Sequence, residues 1–85
     1  MTPMQITQAE LEVARFLAGR PTPAEILAFR LPEEIASHFY ELVDAEREGP
    51  ISDDERAELD TYVYVEHMVR LIKAEAGRLL GQQAS

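Results

Sequence analysis

Apolar residues recur along this chain at helical spacing, in four runs separated by proline and glycine. The first run, Ala9, Val13, Phe16 and Leu17, follows Thr7-Gln8-Ala9-Glu10. Those four residues read as a capping box in which Thr7 caps the helix and Glu10 reaches back to it. Gly19 is expected to supply a left-handed stop. A second box, Thr22-Pro23-Ala24-Glu25, opens a segment carrying Ile26, Leu27 and Phe29. Pro23 suits its first helical position, and Pro32 limits it to one or two turns.

Pro32 opens the third helix, with Glu33 and Glu34 near the positive end of its dipole. Ile35, Ala36, Phe39, Leu42 and Val43 form one apolar stripe, which Gly49 and Pro50 end. Ser52-Asp53-Asp54-Glu55 is a third capping box. The fourth helix runs from Asp53 to about Leu80, roughly 42 Å at 1.5 Å per residue. That is long for a compact chain of this size, whose radius of gyration should be about 12 Å. One side of it carries Tyr62, Val65, Met68, Val69, Ile72, Ala76, Leu79 and Leu80, and Tyr64 and Leu71 widen that side into a second lane. One lane can pack on helices one and three. The other is surplus apolar surface and suggests self-association or a partner helix, unless the short second helix folds over it.

The pattern therefore predicts an all-α fold: a small helical bundle of three longer helices and one short one, ending in a long amphipathic helix. Residues 1–85 form a single domain, with 1–6 and 81–85 expected to fray. Apolar residues make up 46% of the 85, enough for a core and too many for disorder. The net charge of -8 argues against nucleic acid and against anionic membranes, and leaves a basic protein as the expected partner. The chain has no cysteine, which points to a reducing cytoplasm. No signal peptide and no membrane span is legible, so a cytoplasmic location is expected.

Charge is unevenly placed. Residues 41–60 hold nine acids against Arg47 and Arg56, whereas 67–85 carry Arg70, Lys73 and Arg78 against Glu75. Three readings of the acidic joint at 44–55 compete. It can be helix punctuation, with Gly49 as a left-handed cap and Ser52 and Glu55 capping the next helix. It can be a calcium loop, since oxygen-bearing residues fall at positions 1, 3, 5, 9 and 12 counted from Asp44, with Gly49 at 6. Against that, Glu46 and Glu48 stand where shorter side chains normally reach the ion. It can be a recognition patch in which Glu46, Glu48, Asp53 and Asp54 attract a basic partner.

Catalysis finds little to work with. His38 follows Glu34 by four residues, an ion-pair spacing, and His67 lies on another helix. The serines have no legible base, and the glycines sit singly instead of forming a phosphate loop. No catalytic residue, metal site or cofactor is assigned, and a non-enzymatic role is expected.

One stretch resembles a known group. Leu27-Ala28-Phe29-Arg30, the Pro32-Glu33-Glu34 helix start, Arg47-Glu48-Gly49-x-Ile51-Ser52-x-Asp54-Glu55-Arg56-Ala57-Glu58-Leu59-Asp60 and Arg70-Leu71-Ile72-Lys73-Ala74-x-Ala76 are similar to short bacterial helical proteins. Members are described as uncharacterised or antitoxin-like, and some resemble partners of HNH-type nucleases. The resemblance spans about residues 25–80. It departs at Pro50, where a small polar residue is typical, and in the longer first helix. It implies partnership with a protein and supplies no residue roles.

These readings combine into one expectation: a protein-binding or regulatory protein, an antitoxin-like neutraliser of a basic partner, and a homodimer through its last helix. The interface is expected at Tyr62, Tyr64, Val65, Met68, Leu71, Ile72 and Leu79, with the acidic joint steering association. A calcium-binding helix-loop-helix module and a purely structural assembly subunit are the alternatives.

Overall fold

A computed structural model describes residues 7–84 of the chain, all in helices and short connections. The order is α1 (Gln8–Ala18), α2 (Pro23–Ala28), α3 (Glu33–Glu48) and α4 (Asp53–Ala84). The all-α bundle with a long final helix is thus the observed architecture. The expected fraying of residues 1–6 lies outside the described residues. At the other end α4 is helical through Gly81 to Ala84, and Ser85 lies outside the described residues.

All three capping boxes form. Thr7, Thr22 and Ser52 each accept a bond from the backbone N–H three residues on, at 3.1–3.2 Å. Glu10, Glu25 and Glu55 each accept the N–H of their own cap residue, at 2.9–3.0 Å. Each box pairs two N–H groups that a helix start otherwise leaves without partners. The glycine stops behave differently. Gly19 has φ -76°, and the left-handed residue is Arg20, at φ 56°. Bonds from Gly19 N–H to Phe16 O and from Arg20 N–H to Leu17 O tighten the last turn of α1, moving the reversal one residue along. Gly49 has φ 170°, which is extended backbone, so α3 ends by straightening into Pro50 instead of through a left-handed cap.

Each of the first three helices packs on α4. α3 runs back along its amino-terminal half as a hairpin, with Phe39 stacked on Tyr62 at 4.0 Å between ring centroids. α1 and α2 meet over its carboxy-terminal half, where Phe16 stacks on Phe29 at 4.4 Å. Val13, Ile26, Val69 and Ile72 line the seam beneath that stack. Among the described residues the buried apolar set is small: Ala9, Leu42, Leu59, Val65 and Ala76. The radius of gyration is 15.5 Å, well above the roughly 12 Å of a compact chain this long. The longest dimension, 52 Å, is essentially the length of α4. This is a half-covered spine. Helix α2 does fold onto the far end of it, yet apolar surface remains on the opposite side.

Two predictions follow from this helix chemistry. A Cβ built at Gly77 meets nothing within 4 Å, so no packing requires a glycine inside α4 there. Gly77→Ala should stabilise the protein by about 0.5–1 kcal/mol, seen as a rise of several degrees in thermal midpoint. The second concerns acid. Bonds from the backbone N–H and then the hydroxyl of their cap residues hold the Glu25 and Glu55 carboxyls below the usual carboxylate range. A lowered folded-state pKa gives stability that is present above about pH 4.3 and is lost as pH falls through the lowered value. The double variant Glu25→Gln, Glu55→Gln should therefore lose less helicity by circular dichroism between neutral pH and pH 3 than the parent does.

Candidate interaction groove and its acidic rim

Where α1 begins, α3 and α4 stand apart from it and leave an open groove of about 810 Å³. Its apolar lining includes Ile35, Phe39 and Leu42 from α3, Ala9 from α1, and Ala57 and Tyr62 from α4. Glu12, Glu34, Asp54 and Glu58 also line it, and no lysine or arginine does. Helix periodicity explains the assembly. Glu34 and His38 are one turn apart on α3, and Asp54 and Glu58 are one turn apart on α4, so each pair shares a face. The α3–α4 hairpin turns those two faces toward each other.

His38 and Glu58 close the distance between them. His38 Nε2 lies 2.6 Å from Glu58 Oε1, and His38 Nδ1 lies 3.9 Å from Glu41. The histidine therefore ties α3 to α4 instead of serving Glu34, the partner its spacing indicated. Beside it, burial pushes the Tyr62 phenol up from its usual range, and the Glu66 carboxylate one turn on pushes it the same way. Tyr62 stays a neutral phenol at physiological pH, its hydroxyl engaged with the Glu66 carboxylate.

The acidic joint separates into residues with structural work and residues without it. Glu55 is held by Ser52. Glu46 forms an ion pair with Arg56, joining α3 to α4. Asp44 and Arg47 approach at 4.0 Å on exposed α3. Glu48 and Asp53 are exposed, and Asp54 is exposed on the groove. Of the expected acidic patch, Glu48, Asp53 and Asp54 thus remain open to a partner, and Glu46 is spoken for.

The calcium reading fails on backbone geometry. Asp44, Glu46 and Glu48 all lie inside α3, which runs unbroken to Glu48. Successive alternate residues of a helix point about 160–200° apart, so these three carboxylates cannot converge on one ion without unwinding the last turns. Among the described residues no group of three His, Asp or Glu side chains is placed to hold a metal.

The expected interface on α4 divides in two. Val65 is buried at 6% exposure, Tyr62 is stacked on Phe39, and Ile72 lines the seam with α1 and α2. Those three face the chain's own core and are not presented to a partner. Tyr64 at 64% and Leu71 at 49% are exposed, Met68 between them is half-buried, and Leu79 is exposed beyond them. At 100° per residue Val65 and Met68 lie only 60° apart, so periodicity alone puts both on one wide apolar face. The packing of α1–α3 draws the boundary between them. Glu12, Glu34 and Glu58 were missed as site residues, since they come from three helices and share no local spacing.

The His38–Glu58 tie is checkable by a double-mutant cycle. His38→Ala combined with Glu58→Gln should show a coupling of about 0.5 kcal/mol, the scale of a half-exposed pair, while His38→Ala with Glu34→Gln should be additive.

The chain matches no protein-family model, no curated protein and no solved structure, so its functional reading rests on this geometry.

Proposed function

We propose that this chain is a non-enzymatic, cytoplasmic binding protein, antitoxin-like in action, which occludes a basic surface of a protein partner. The observation that carries the reading is the groove. Four carboxylates and no lysine or arginine line it, over an apolar floor built from Ile35, Phe39 and Leu42. A segment bearing arginine or lysine beside apolar residues satisfies both parts at once. The mechanism is occlusion. Long-range attraction to the acidic end speeds encounter, and burial of apolar side chains in the groove holds the complex. Glu48 and Asp53 add to the steering field without entering the groove.

The test is affinity capture with the tagged protein from its own cells, comparing the parent with an Glu34→Lys, Asp54→Lys variant. The expected result is a basic protein retained by the parent, released by raised salt, and recovered about tenfold less by the variant at unchanged helicity. Equal capture by both, or capture insensitive to salt, would count against the groove.

A further inference from the structure

The outer side of α4 carries a pattern that starts at the groove edge, with Ala57 and Thr61, and runs on beyond it. Ala57, Thr61, Tyr64, Met68 and Leu71 follow one another at steps of four and three, and the same seam continues into Glu75 and Arg78. That alternation is the 3.5-residue repeat by which one helix packs along another. On this side Tyr64 and Leu71 are among the most exposed large apolar residues of the chain, and none of α1–α3 covers them. Isolated apolar residues on a surface need no explanation; a row at heptad spacing on an uncovered helix does.

The charges at the two ends of the seam say what covers it. Its amino-terminal end begins with Asp53 and Asp54, exposed and without a basic neighbour on the seam. Its carboxy-terminal end carries Arg78, 55% exposed, held 2.8 Å from Glu75 on its own helix. A second copy lying parallel would set Asp54 against Asp54 and Arg78 against Arg78. A second copy lying antiparallel sets opposite charges together at both ends.

We infer that the chain self-associates as an antiparallel two-fold dimer through the outer seam of α4, with the dyad passing beside Glu66. In that register Tyr64 meets Met68 of the second copy, Thr61 meets Leu71, and Asp54 meets Arg78. Each contact occurs twice, as a two-fold interface requires. It is also the alternation by which antiparallel helices pack, one seam position against the other kind. The contact is short, with four apolar layers, so it belongs to the weak and reversible class of interfaces. This inference goes beyond the basic-partner reading and does not rest on it: Asp54, Ala57 and Thr61 border both surfaces, but Tyr64, Met68 and Leu71 lie outside the groove, so Tyr64→Glu with Leu71→Glu tests the seam alone.

Sedimentation equilibrium of the isolated chain tests it without any partner. The parent should move from 9.6 kDa toward twice that mass as concentration rises into the high micromolar range. Tyr64→Glu with Leu71→Glu should abolish the shift while circular dichroism is unchanged, since neither residue belongs to the buried core. Arg78→Glu should weaken association about fivefold, the scale of two lost exposed charge pairs, and adding Asp54→Arg to it should restore the parent value. Orientation is read separately by cross-linking, which the absence of cysteine makes clean. Chains carrying Asp60→Cys and chains carrying Ala74→Cys should link to one another through a short bis-maleimide. Neither should link to itself, because like positions lie roughly 18 and 24 Å apart along the antiparallel pair. A parent that stays at 9.6 kDa to millimolar concentration would overturn the dimer. Self-linking of the Asp60→Cys chain would overturn its orientation. Either result leaves capture of a basic protein by the groove to stand or fall on its own.

Discussion

The other three helices of this protein are all fastened to one long helix. α4 is 32 residues long, about 48 Å, and the other three helices each pack on it. A cylinder of that length presents more side than three short helices can cover. The first three helices take one side of it, α3 along the amino-terminal half and α1 with α2 along the rest. The consequence is a core of few buried residues, held by two aromatic stacks rather than by a deep apolar interior. Stability of this kind is thin, and helix ends matter to it more than they would in a larger domain.

That is why the three capping boxes recur. Every helix start except that of α3, where Pro32 stands at the cap, has a Thr or Ser at the cap and a Glu three residues on. The boxes set where each helix begins, and so set the phase in which its apolar stripe meets α4. The acidic bias of the chain is partly this capping chemistry and partly the rim of the groove. Glu55 and Asp54 sit side by side in sequence and divide between the two roles, one held by Ser52 and the other facing the open groove.

The groove and the outer seam are two results of the same incomplete coverage. Where α1 stands away from the α3–α4 hairpin, an acid-lined hollow remains. Beyond it along α4, the apolar side chains of Tyr64, Met68 and Leu71 remain outside the groove. A chain that kept these surfaces for no partner would carry exposed tyrosine and leucine at heptad spacing without return. The two proposed partners, a basic protein in the groove and a second copy along the seam, would give both surfaces a use.

Local patterns in the sequence determined the four helices, the three boxes, the brevity of α2 and the unusual length of α4, because capping and periodicity act within a few residues. Local patterns misplaced the chain reversals at Gly19 and Gly49, where the path of the chain between packed helices chose extended or shifted geometry. They also merged Val65 with Met68 and paired His38 with Glu34. Only the tertiary structure could separate the core lane of α4 from its outer seam. It alone brought Glu12, Glu34, Asp54 and Glu58 to one groove. Those residues lie on three helices, and spacing within a helix says nothing about which faces of different helices will meet.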